Sequence, residues 1–148
     1  MKRLAVNAFT LLSLIISLSA ISVYAQSRTL ISKVKIPFDF SIRDKTLPAG
    51  VYRVERIFQD ALLIRSEDGQ EACVSLTMPV QAKGGPETGR LLFHRYEDTY
   101  FLFQIWEPGS DNGRQILKSG AERSIERDMA KKGEGASSVS LVILAPGT

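Results

Sequence analysis

Residues that carry chemistry are scarce in this chain: across 148 residues Cys73 is the only cysteine and His94 the only histidine. One cysteine excludes an internal disulfide. With a single histidine, a zinc site would have to be built largely from carboxylates, and no ligand pair at i, i+3 or i+4 combines them. No Gly-x-Ser-x-Gly elbow holds a serine that His94 could activate. Gly84-Gly85 lacks the strand-to-helix context and the Lys-Ser/Thr of a phosphate loop. Glu55, Glu67, Asp68, Glu97 and Asp98 could serve glycosidase-type acid and base work, but Asp68, Glu97 and Asp98 belong to turns, which gives each a structural reason to be acidic. His94, between Leu92 and Tyr96 on a strand face, reads as a packed histidine. Cys73, inside the strand-like run Glu71 to Met78, reads as a small buried hydrophobe. The expectation is a protein that is not an enzyme, with no catalytic residue, metal or cofactor.

An excess of charge is lacking as well. The 19 basic residues include Lys2 and Arg3, which precede an uncharged apolar run from Leu4 to Val23 and the small residues Val23 and Ala25 of a Val-x-Ala cleavage site. This is the grammar of a signal peptide. A run of roughly 20 apolar residues also spans a bilayer, but Asn7, Thr10, Ser13, Ser17, Ser19 and Ser22 dilute it and the cleavage site follows at once. The expectation is a signal peptide over 1–25 and one β-rich domain over 26–148, exported to the periplasm or the exterior. The alternative is an uncleaved inner-membrane anchor. No cysteine lies at the cleavage point, so the lipoprotein route is closed. Without Lys2 and Arg3, 17 basic residues face 16 acidic ones, which gives no electrostatic reason to expect nucleic acid or an anionic membrane. The remaining 123 residues can bury roughly two thirds of their unfolded surface.

What is present is a period of two, in short blocks separated by turn residues. Val34, Ile36 and Phe38 alternate with Lys33, Lys35 and Pro37 at an edge or strand end, and Phe40 and Ile42 extend the strand after a bend. Leu47-Pro48-Ala49-Gly50 is a turn, followed by strands over Val51 to Phe58, Ala61 to Ser66 and Gln70 to Met78. Two-residue turns at Gln59-Asp60 and Asp68-Gly69 would gather Tyr52, Val54, Phe58, Ala61, Leu63, Ala72, Val74 and Leu76 on a core-facing side. Arg53, Glu55, Ile57, Leu62, Ile64, Cys73 and Ser75 would then be half covered. Pro79 to Gly89 holds too many breakers for an element and reads as an exposed loop.

Arg90 to Tyr96 and Thr99 to Trp106, hinged at Glu97-Asp98, form an aromatic hairpin. An uninterrupted register puts Leu91, Phe93, Arg95, Tyr100, Leu102, Gln104 and Trp106 on one face. Arg95, Tyr100, Gln104 and Trp106 then make a candidate binding face of flat rings and polar heads, while Tyr100 and Trp106 as core residues with satisfied polar tips is the competing account. A short strand lies around Gln115 to Leu117. Ser119 to Glu122 is a capping box, opening a helix over Gly120 to Lys132 with Ala121, Ile125 and Met129 as its apolar stripe. Ser138 to Ala145 is a strand expected within a sheet. The fold class is mainly β: a small antiparallel β-sandwich or open barrel of about seven to eight strands, with one helix before the last.

Ile36-Pro-Phe-Asp-Phe40, Asp44-Lys-Thr-Leu-Pro-Ala-Gly50 with Tyr52, Ile64-Arg-Ser-Glu-Asp-Gly69, Phe93-His-Arg-Tyr96, Tyr100-Phe-Leu102 and Ile105-Trp106 resemble a family of small exported bacterial proteins without a characterised function. The resemblance covers most of the chain after the leader. It implies export and supplies no activity and no site residues. The functional expectation is a non-catalytic binding or interaction module for a glycan, a lipid or an envelope protein. The alternative is a structural or assembly component of the envelope, which pairs, as a homo-oligomer or with another chain, through an exposed edge at Val34 to Phe38 or Val139 to Leu144.

Overall fold

The computed structural model describes residues 29–142. The leader and the last three residues of the final predicted strand lie outside the described residues. Ten strands follow in order: β1 (Thr29–Ile36), β2 (Phe40–Ile42), β3 (Lys45–Leu47), β4 (Gly50–Phe58), β5 (Ala61–Ser66), β6 (Ala72–Gln81), β7 (Arg90–Tyr96), β8 (Thr99–Trp106), β9 (Asn112–Ile116) and β10 (Ser137–Val142). One helix, α1 (Gly120–Lys131), precedes β10. The mainly β architecture and the helix before the last strand agree with the sequence pattern, and the sheet is open. Two strands more than expected arise at the bend after Ile36: Phe40–Ile42 is a separate strand that turns back through Arg43-Asp44 to pair with Lys45–Leu47.

The strands run β1-β4-β5-β6-β9-β8, with β7 on β8, β10 on β7 and the β2–β3 hairpin on β8. Among the described residues only the β2–β8 pairing is parallel. The ten-residue β6 joins the two halves: Ala72 to Leu76 pair with β5, and Thr77 to Gln81 pair with β9. The predicted loop therefore begins three residues late, because Pro79, Val80 and Gln81 are strand residues opposite Arg114, Gly113 and Asn112.

The larger of two apolar clusters draws its members from both halves. Phe40, Tyr52, Ile64, Phe93, Leu102 and Ile105 are among its buried members. The Phe40 ring meets Tyr52 and Phe93 edge to face, with centroids 5.1 and 5.7 Å apart, an arrangement that aromatic quadrupoles favour. Each fully buried apolar side chain contributes about 1.5–3 kcal/mol. The Tyr52 hydroxyl donates to the Pro48 carbonyl at 2.7 Å, so the turn before β4 is tied to the core.

The helix starts where the capping box places it: the Ser119 hydroxyl accepts from the Glu122 amide at 3.0 Å. It ends at Gly133, whose φ of 76° favours a residue without a Cβ. Ile125 and Met129 pack on Tyr96 and Phe101, on the outer surface of β7–β8. Ala121, expected in the stripe, is exposed, and Glu122 is buried in its stead. Among the described residues β10 pairs only with β7, an edge position rather than the interior one expected. No helix among them is long and apolar enough to cross a membrane.

Candidate interaction face

The main surface feature grows from one extra residue in β4. The β4–β5 hairpin starts as predicted with Phe58 opposite Ala61, but the next pair is Arg56 with Leu62, which leaves Ile57 as a bulge. A one-residue slip sends every later side chain to the opposite face. Val54 therefore pairs with Ile64, and Tyr52 with Ser66, instead of sharing a side with Leu63. The β5–β6 register follows the prediction, with Leu63 opposite Val74 and Ala61 opposite Leu76. Tyr52 and Val54 thus face the core as expected, joined by Leu62 and Ile64 from the side expected to be half covered. Of the other residues expected on the core-facing side, Ala61 and Leu63 are buried while Phe58, Ala72, Val74 and Leu76 are exposed on the outside of the sheet.

Phe58, Val74, Leu76, Met78 and Leu117 are 54, 58, 58, 50 and 41% exposed, and they are the exposed large apolar side chains among the described residues. All five fall on this outer surface. Phe58, Ala61 and Leu76 form one cross-strand row, and Leu63 and Val74 the next. Met78 follows Leu76 along β6, and Leu117 lies one step beyond the Thr77–Ile116 pair, beside Leu76. Ala61 and Leu63, on β5 between these neighbours, are buried. At one end the face turns basic, where Lys33 pairs with Arg53 and Arg53 with Arg65. Glu67 bridges Lys33 and Arg53, and its hydrogen bond to Lys33 holds its carboxyl below the usual carboxylate range.

A second bulge divides the residues expected to form a binding face. On β7–β8, Arg95 lies opposite Tyr100 and His94 opposite Phe101 as predicted, but Leu92 meets Gln104, so Phe103 is the extra residue. Arg95 and Tyr100 remain on the side of Phe93, and Gln104 and Trp106 turn to the other. The Arg95 guanidinium sits 5.6 Å from the centre of the Tyr100 ring, which stacks on Phe38 at 3.9 Å. Trp106 is nearly buried. Its indole donates to Gln104 Oε1 at 3.1 Å, and Gln104 donates to Gln115 at 3.1 Å. The indole also lies flat on Gly113, where a Cβ would come within 2.7 Å of the ring. Trp106 is buried with its indole N–H satisfied, Tyr100 is partly buried against the core, and the four residues do not form one surface.

No protein-family model, curated protein or solved structure matches this chain. Geometry therefore carries the functional reading, and one further cluster bears on it. His94 Nδ1 lies 2.8 Å from Glu122 Oε1, the Tyr96 hydroxyl donates to the same oxygen at 3.3 Å, and the imidazole stacks on Phe103 at 3.9 Å. Glu122 thus leaves its return hydrogen bond in the capping box to pin the helix to the sheet. Burial, and then the charge of Glu122, push the Tyr96 hydroxyl well above its ordinary range. The sequence signals Glu122 only through its capping position and does not reveal its two partners on β7.

The remaining reactive group is equally constrained. Cys73 is partly buried, and burial pushes its thiol up more strongly than Lys45 draws it down, which disfavours the thiolate that reaction needs. Among the described residues no three His, Cys, Asp or Glu side chains are grouped to hold a metal ion.

Proposed function

We propose that this chain is an exported, non-catalytic β-domain acting as an interaction module, sent to the periplasm or the exterior by the leader at 1–25. The observation that carries this reading is the contiguous outer face of Phe58, Val74, Leu76, Met78 and Leu117. Side chains of these sizes, about half exposed, present on the order of 500 Å² of apolar surface, at the upper end of what soluble monomers leave open and a common mark of a binding surface. The chemistry of the face favours a protein partner. A glycan needs hydrogen-bonding groups beside the rings, and none of the five side chains has one. A lipid chain needs an interior to enter, and the core between the two halves is packed with Phe40, Tyr52, Phe93 and Ile105.

Native mass spectrometry of the protein recovered from its exported location without refolding tests this reading. The expected result is added mass, either a second copy or a foreign chain, that is lost in a folded Leu76→Arg variant. A bare monomer at all concentrations contradicts it.

One observation favours assembly through an edge instead. The β1 edge carries Lys33 and Lys35 with Pro37 just beyond, residues that discourage strand addition, while Ser137–Val142 at the β10 edge has neither charge nor proline. In that case Ser138→Lys removes the assembly and Leu76→Arg leaves it intact.

A further inference from the structure

We infer that the cavity beside the β8–β9 turn is a binding site for a small carboxylate, held by Arg114 with Arg56 next to it. The site goes beyond the interaction reading above and does not depend on the apolar face, which lies on the other side of β4 and β6.

Two arginines stand where the strand pattern calls for apolar side chains. Arg56 follows Tyr52 and Val54 on the inner side of β4, and Arg114 lies opposite Ile105 and two residues before Ile116, both buried. Pro79, the partner of Arg114 on β6, continues the inner side of Ser75 and Thr77. These three positions end the core-facing rows, and the cavity they line with Glu107, Ser110 and Asn112 measures about 330 Å³, toward the lower end of the range for small-molecule sites. A cation on a core-facing row costs desolvation unless it is paired. Positions that break the local pattern in this way concentrate at functional sites.

The protein neutralises only one of the two charges. Arg56 pairs with Glu107 through Nη2, while its Nε–H is buried without an acceptor. Arg114 is partly buried and has no ion pair among the described residues. Asp111, in the same turn, accepts from the Gly85 amide and does not line the cavity. The amide oxygen of Asn112 accepts from Gln81 at 3.2 Å, so what Asn112 offers the cavity is its Nδ2 donor. Donors therefore outnumber acceptors, and Arg56, Arg114 and Glu107 together leave a net positive charge. An oxyanion meets both needs, and the planar guanidinium fork matches the two oxygens of a carboxylate. A monoanion leaves the cavity neutral, whereas a phosphate dianion would leave negative charge uncompensated on a partly buried site. The rim is set in advance: the Ser110 hydroxyl accepts from the Asn112 amide at 3.1 Å and donates to the Asn112 carbonyl at 3.2 Å, which lowers the ordering cost of binding.

Titration of the isotope-labelled exported chain with acetate, followed by amide chemical shifts while chloride holds the ionic strength constant, tests the inference. Acetate should give saturable shifts at Ser110, Asn112, Gly113 and Arg114. Arg114→Gln should weaken binding about tenfold or more with the circular dichroism unchanged, and Arg114→Lys, which keeps the charge but loses the fork, should weaken it less. Glu107→Gln removes the competing carboxylate from Arg56 and should tighten binding severalfold, a gain that a folding defect cannot produce. Inorganic phosphate should bind more weakly than acetate. No saturable shift, shifts that chloride alone reproduces, or unchanged affinity in Arg114→Gln overturns the site, and tighter binding of phosphate overturns its assignment to a carboxylate.

Discussion

Strands β4 and β6 flank β5 and orient their side chains in opposite senses. β4 is conventional, with Tyr52 and Val54 buried and Arg53 exposed. β6 is inside out, with Ser75 and Thr77 buried while Val74, Leu76 and Met78 face outward. The inward hydroxyls are satisfied close to home: Ser75 donates to the Leu76 carbonyl at 3.2 Å and Thr77 to the Asp60 carbonyl at 3.3 Å. Burial of a polar group is costly mainly when it lacks a partner, so the inner side of β6 is tolerated. Its outer side has the composition of a core strand without the covering layer. The difference shows that a strand's apolar residues face the core only if the register allows it, and here the register is set by the bulge at Ile57.

Truncation on the inner side of the sheet should cost most. Ile64→Ala should cost about 2–5 kcal/mol through lost burial and a cavity, measured by denaturant unfolding. Leu76→Ala, a truncation of similar size on the outer side, should leave the dilute monomer within about 1 kcal/mol. Equal losses would mean that β6 is not inverted. Gly113→Ala should cost about 1–3 kcal/mol because the new methyl overlaps the indole, and the fluorescence of Trp106, the only tryptophan, should shift with it.

Glu122→Ala should cost about 1–3 kcal/mol by leaving the Tyr96 hydroxyl without its acceptor, with faster hydrogen exchange in α1 and little change in β6. The smallest effects are in pH. Tyr96 has a raised value when folded, so the unfolded chain loses its proton first, and stability should hold below pH about 10 and fall above it. Asp68 is held down by the Ser66 hydroxyl and the Gln70 amide. Its contribution is present above the ordinary carboxylate range and is lost as the pH falls through and below it. Asp68→Asn should flatten that acid limb in a pH series of melting curves.

Most of the strands were legible in the sequence because alternation and turn residues mark them locally. Strands β4, β5, β7 and β8, and helix α1, fall within a residue of their predicted bounds. The faces were less legible, since a bulge adds a residue without a compositional sign: Ile57 and Phe103 are ordinary strand residues in sequence. The first bulge exchanged the two sides of β4 relative to β5, and the second separated Arg95 and Tyr100 from Gln104 and Trp106. The segment Val74-Ser75-Leu76-Thr77-Met78 fits either orientation, so its exposed face became visible only once the pairing was known.

Thiol labelling along β6 reads out the inversion of the strand. In a Cys73→Ser background, single cysteines at positions 74, 75, 76 and 77 would be labelled in the native protein. Fast labelling at 74 and 76 and slow labelling at 75 and 77 is the expected result. Faster labelling at 75 and 77 than at 74 and 76 would contradict the inverted strand.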